Sequence, residues 1–173
     1  LRLKEAKPSI SSHSKMLVPC SSKEFEVDVL ASKFIAYLYR VDSVSEVNSL
    51  IDQYKKKMPK ASHYPYAYFI DGVFKSSDDG EPGGSAGKVI LKLLQDKEIN
   101  HALLIVARYF GGRELGVGRL SRTFLDAALG AINNTSFYKE EEKLSTLVSL
   151  TYSDYETLKR VSSKYQIEIT DSK

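Results

Sequence analysis

Apolar and polar residues first alternate regularly at Phe25-Glu26-Val27-Asp28-Val29, the pattern of a half-buried strand. Phe34 to Tyr39 adds a second run rich in β-formers. From Ser43 the period becomes helical. Val44, Val47, Leu50, Ile51 and Tyr54 recur at helix spacing, and Ser43 with Glu46 has the pattern of a capping box. A helix over Val44 to Lys57, ending before Pro59, is expected. Tyr64 to Phe74, with aromatic residues at alternating positions, predicts one strand that stops at the turn-rich stretch Ser76 to Ser85. Ala86 to Gln95 predicts a helix with Val89, Ile90, Leu93 and Leu94 inward. Leu103 to Ala107 is a continuous apolar run, as expected of a strand covered on both faces. After a second glycine-rich loop, Gly111 to Gly118, residues Leu120, Phe124, Ala127, Ala128 and Ala131 mark a further helix.

The ends read differently. Residues 1–22 are serine-rich without a period and predict a flexible leader, with order beginning near Phe25. Residues 23–138 form the main domain and 139–143, with three successive glutamates, a linker. Residues 144–173 predict a β-α-β unit: a strand from Leu144 to Tyr152, a helix from Tyr155 to Lys164 and a strand from Ile167 to Thr170. The whole is a mixed α/β (α+β) chain.

Composition narrows this picture modestly. With 173 residues, 42% of them hydrophobic, the chain has enough material for a core without metals or disulfides. Cys20 is the only cysteine, which excludes an internal disulfide and a Cys-rich zinc site and makes a reducing, cytoplasmic compartment the default expectation. No apolar run approaches the ~20 residues of a membrane span, so no membrane partner is expected. The net charge of +3 is compatible with an anionic partner such as RNA but does not require one.

Two loops carry candidate chemistry. Asp78-Asp79-Gly80-Glu81-Pro82-Gly83-Gly84-Ser85-Ala86-Gly87-Lys88 lies where a strand hands over to a helix, so its backbone N–H groups could cradle a phosphate. It is not a nucleotide-hydrolysing P-loop, because Pro82 and Val89 stand where that motif needs Gly and Ser or Thr. The alternative is a glycine-rich turn with Lys88 in solvent. Asp78, Asp79 and Glu81 do not have the spacing of a calcium loop, and acids before a helix serve its dipole; no metal or other cofactor is expected. Gly83-Gly84-Ser85-Ala86-Gly87 matches the bare Gly-x-Ser-x-Gly pattern, which keeps a hydrolase or phosphate-metabolite enzyme as the alternative function. The second loop follows Arg108, Tyr109 and Phe110 and is flanked by Arg113, Arg119 and Arg122. An arginine that ends an apolar strand must point at water, a carboxylate or a ligand. His63 could act as an acid–base group, whereas His101 and His13 offer less.

Ser32-Lys33-Phe34-Ile35-Ala36, His63-Tyr64-Pro65-Tyr66-Ala67-Tyr68, Asp79 to Lys88, and Arg108-Tyr109-Phe110-Gly111-Gly112 with Leu115, Gly116 and Gly118 together resemble the Impact family in order and spacing. The resemblance implies a main domain like the second domain of ribosomal protein S5 and a C-terminal unit like half of a ferredoxin-like domain. It also implies a translation-linked binding or regulatory role, with RNA, the ribosome or a translation-regulatory protein as partner. Longer eukaryotic members restrain the amino-acid-starvation kinase through an amino-terminal domain that residues 1–22 are too short to form. In this chain Arg119 and Phe124 depart from the family's glycine and tyrosine. The binding residues expected are Lys33, His63, Asp79, Glu81, Gly83, Gly84, Ser85, Lys88, Arg108, Tyr109, Gly111, Gly112 and Arg119, with the two glycine loops meeting in one cleft.

Overall fold

The computed structural model describes residues 16–140, 148–162, 164 and 169. In chain order the elements are β1 (Leu17–Ser21), β2 (Phe25–Val29), β3 (Ser32–Arg40), α1 (Val44–Lys57), β4 (Tyr66–Ile70), β5 (Val73–Ser77), α2 (Gly87–Asp96), β6 (Ala102–Tyr109), α3 (Val117–Asn133), β7 (Ser136–Lys139) and α4 (Tyr152–Ser162). The chain divides into two units, Leu1–Glu142 and Lys143–Lys173. In the second, the described element is α4.

In the first unit β6 is the central strand of a five-stranded antiparallel sheet ordered β2-β3-β6-β4-β5. Side chains alternate across a strand. Ala102, Leu104 and Val106 accordingly join Phe34, Ala36 and Leu38 of β3 in the core beneath α2 and α3, while Leu103, Ile105 and Ala107 meet Val47, Ile51 and Tyr54 of α1 on the other face. All of Ala102 to Arg108 is buried, which is the strand covered on both faces that its composition predicts. The fold is mixed α+β, with helices on both faces of an antiparallel sheet.

Several expectations are corrected. The aromatic run from Tyr64 is not one strand but the β4–β5 hairpin. Asp71 and Gly72, at φ 46° and 81°, make a two-residue turn of the kind Asp-Gly favours, with Ile70 paired to Val73. The leader is ordered from Leu17: β1 pairs with β7, a strand not expected from the sequence, and Val18 is fully buried. Glu140 is not part of a free linker, since its N–H donates to the Met16 carbonyl. The Ser43 capping box does not form, because Ser43 engages Ser45 instead of a helix N–H and Glu46 accepts from the N–H of Asp42, one residue before the cap. Residues 148–152 are not strand. Tyr152 already opens α4, capped by Thr151, whose hydroxyl accepts from the N–H of Asp154. The remainder of the two flanking strands expected at 144–152 and 167–170 lies outside the described residues, apart from Ile169, which is not in a strand.

Gly111 shows how tightly the end of β6 is held. A Cβ there would sit 2.2 Å from the Ala31 carbonyl oxygen, and its N–H donates to the Ser32 hydroxyl at 3.2 Å. Gly111→Ala is therefore expected to destabilise the domain by roughly 1–3 kcal/mol, the usual range for forced overpacking. Gly83→Ala, whose Cβ would meet nothing within 4 Å, should stay within about 0.5 kcal/mol. Urea unfolding of the two variants measures the difference, and equal stabilities would contradict the close approach.

Candidate functional site

Arg108 is the last buried residue of β6. Its Nη1 donates to Glu81 Oε2 at 2.5 Å, with the two side chains 8% and 1% exposed. The guanidinium lies 5.5 Å from the ring centroids of both Phe34 and Phe110. Of the three choices open to a strand-end arginine, this chain takes the carboxylate. Arg108 Nε, Glu81 Oε1 and Ser85 Oγ are buried without a hydrogen-bond partner among the described residues.

The first glycine loop is shaped around that pair. Asp78 accepts from the N–H groups of Gly84 at 2.8 Å, Ala86 at 3.1 Å and Gly87 at 2.8 Å. Partial burial pushes the Asp78 carboxyl up, but the three backbone donors and Lys88 outweigh it and hold the group below its ordinary value. The start of α2 thus receives its negative charge from the chain itself, and the expected phosphate cradle is filled by Asp78. Asp79, at φ 45°, accepts from the N–H of Tyr64 at 2.7 Å and faces Lys55 Nζ at 3.6 Å. Its carbonyl oxygen lies 2.7 Å from His63 Nδ1. Gly80 must be glycine, being at φ 90° with a Cβ position only 2.8 Å from the His63 ring.

His63, Asp79, Glu81 and Arg108 are brought together, joined also by the bridge between the His63 and Arg108 backbones. Ser85 lies at the start of α2 but is 1% exposed and has no base in hydrogen-bond reach, so the Gly-x-Ser-x-Gly match does not present a nucleophile. Gly83, Gly84 and Lys88 line the outer side of this loop, with Lys88 exposed. Lys33 pairs with Glu26 on β2, and that bond raises its pKa. Tyr109 is half-buried on the α1 side. Gly111 and Gly112 begin the exposed second loop.

Beside that loop lies a groove of about 400 Å³ lined by Val29, Gly118, Arg119, Arg122, Thr123 and Asp126, and by no residue of the first loop. Arg119 is among the expected binding residues; Arg122 is not, although its three-residue spacing from Arg119 is the signal that places both on one helix face. The helix α3 that carries them starts at Gly116, at φ 75°, with no side-chain cap and no acid in its first turn. Arg113, Arg119 and Arg122 are exposed and make no ion pair among the described residues. The start of α3 thus differs from that of α2, because its positive end is not neutralised by a side chain.

Comparison with known proteins adds a family to this geometry. The model for the Impact N-terminal domain matches residues 30–132. A Haemophilus influenzae protein named IMPACT family member is 30% identical over 161 residues, covering 90% of this chain and 78% of that protein. The Bacillus subtilis IMPACT family member YvyE is 33% identical over 144 residues, covering 82% of this chain and 65% of its own length. A solved structure of a hypothetical protein superposes with a TM-score of 0.71 over 93% of this chain and 81% of that one, at 22% identity, a likeness of fold.

Breaking a buried ion pair strands the remaining charge, so Arg108→Ala should destabilise the domain by about 3–5 kcal/mol, against about 0.5 kcal/mol for exposed Lys88→Ala. Chemical denaturation reads both, and a nearly neutral Arg108→Ala would place the guanidinium in solvent instead. Asp78 fixes an acid limb as well. Its carboxyl is held low in the fold, so its contribution is present above the unfolded value and is lost as pH falls through the folded one. The stability difference between wild type and Asp78→Asn should shrink below about pH 4.

Proposed function

The chain belongs to the Impact family, and from that premise we propose that it is a translation-linked binding protein that holds the phosphate backbone of RNA, free or within the ribosome, through the groove at the start of α3. The observation that carries this reading is the groove itself, where Arg119 and Arg122 line an open surface beside an uncapped helix start. Backbone N–H groups and guanidinium forks are the groups that phosphate oxygens take. Asp126, the one carboxylate in the lining, is an acceptor suited to a ribose hydroxyl. Phe110 and Val117, 48% and 57% exposed, lie in chain order on either side of the second loop and offer apolar surface for a base.

The first loop enters the same reading as a support, since its charges are met internally. The likeness of residues 23–138 to the second domain of ribosomal protein S5 belongs to this proposal, as does a cytoplasmic site of action. The starvation-kinase role of longer eukaryotic members is outside it. The enzyme alternative gains no support from Ser85.

Replacing Arg119 and Arg122 together by Ala should weaken RNA binding by roughly ten- to a hundredfold for each charge-assisted hydrogen bond removed. The salt dependence should flatten by about one unit of slope per phosphate released. Lys88→Ala should bind as wild type. Fluorescence titrations against a short RNA at several salt concentrations measure this. No binding at low salt, or equal binding by wild type and the double variant, would remove RNA as the partner and favour a translation-regulatory protein.

A further inference from the structure

At the other end of β6, three side chains far apart in sequence converge. We infer that Asp71, His101 and Glu140 form a binding site for one divalent transition-metal ion, with Zn²⁺ the best match to the donor set. Asp71 sits in the β4–β5 turn, His101 immediately before β6 and Glu140 immediately after β7, and one ligand atom from each lies within 4.8 Å of the others. His101 Nε2 is 3.3 Å from Asp71 Oδ1 and 3.7 Å from Glu140 Oε1. Zinc bonds of about 2.0–2.2 Å at tetrahedral angles set neighbouring donor atoms about 3.3–3.6 Å apart. The two separations from Nε2 are close to those of a site with a fourth position open to water.

The imidazole supplies the second argument, from the side facing away from the cluster. Its Nδ1 lies 3.2 Å from the Val41 carbonyl oxygen and 3.5 Å from Asp42 Oδ1, both acceptors. Nδ1 therefore carries the hydrogen, and in the neutral ring the Nε2 lone pair is aimed at two carboxylate oxygens. Three electron-rich atoms in that arrangement need a positive charge between them, either a proton on Nε2 or a metal ion. An Nδ1–H held by a backbone carbonyl is the usual way a ligating histidine is oriented. Asn100, 4% exposed, fixes the carboxylates by donating through Nδ2 to Asp71 Oδ1 at 2.9 Å and to Glu140 Oε2 at 3.1 Å. One nitrogen with two carboxylates suits zinc better than magnesium or calcium, which favour all-oxygen shells.

Such an ion would fasten β7, and with it β1, to the end of the five-stranded sheet. Metal bound only by the folded state adds to its stability, so the site predicts a zinc-dependent rise in Tm.

The test titrates the full chain, stripped with a chelator, with Zn²⁺ and separately with Mg²⁺ by calorimetry near neutral pH. One Zn²⁺ should bind per chain, Mg²⁺ should compete poorly, and zinc should raise the Tm. His101→Gln and Glu140→Gln should each weaken zinc by roughly tenfold or more and abolish its effect on Tm, whereas His63→Gln should keep both. X-ray absorption of the zinc-loaded wild type needs no substitution and should show one imidazole nitrogen among oxygens, without sulfur. Absence of zinc binding by wild type would overturn the proposal and assign the contact to a protonated imidazole. Wild-type affinity in both variants, or a sulfur ligand, would move the ion elsewhere and overturn it equally.

Discussion

A guanidinium at the end of a strand covered on both faces must be given its counter-charge by the protein, and the Arg108–Glu81 pair meets that constraint. Glu81 has to reach β6 from the connection between β5 and α2. That connection must turn sharply, which Asp79 and Gly80 do at positive φ, and must then start a helix within a few residues. Asp78 makes the helix start possible by taking up three backbone N–H groups. His63 closes the arrangement by packing on Gly80 and bridging to the backbone of Arg108. Desolvating two charges is expensive, so the pair holds a geometry more than it adds net stability.

Much of the main sheet was legible in the sequence because period and burial agree there. The apolar run at Leu103 to Ala107, the helix Val44 to Lys57 and the alternation at Phe25 to Val29 each occupy one strand or helix with a local pattern. The hairpin at Asp71-Gly72 was hidden by aromatic residues that continue across the turn, although the Asp-Gly pair itself is a turn signal. Strands β1 and β7 were hidden for another reason. Each is stabilised by the other, about 120 residues away in sequence, and neither has a pattern of its own.

The candidate sites divide along the same line. That Arg108 needed a partner followed from its place after an apolar run, but the identity of Glu81 required the loop's path. Asp78 followed from the preference of acids for helix starts. The grouping of Asp71, His101 and Glu140 was not readable at all, because no spacing relates a hairpin turn, a strand start and a strand end until the sheet is assembled.

Strand β6 also separates these features in space. His101 precedes it and Arg108 nearly ends it, so seven residues at about 3.3 Å each put roughly 23 Å between them. Sites that far apart with no shared partners respond to substitution almost additively. Near Arg108 the two charges are buried and paired with each other through one hydrogen bond, so a partner could take up the guanidinium or the carboxylate only by disturbing that pair. Beside α3 the arginines stand in solvent, where keeping an unpaired charge costs little and where meeting a phosphate sacrifices no internal bond. The proposed recognition therefore falls to the second glycine loop and its helix, and rigidity to the first.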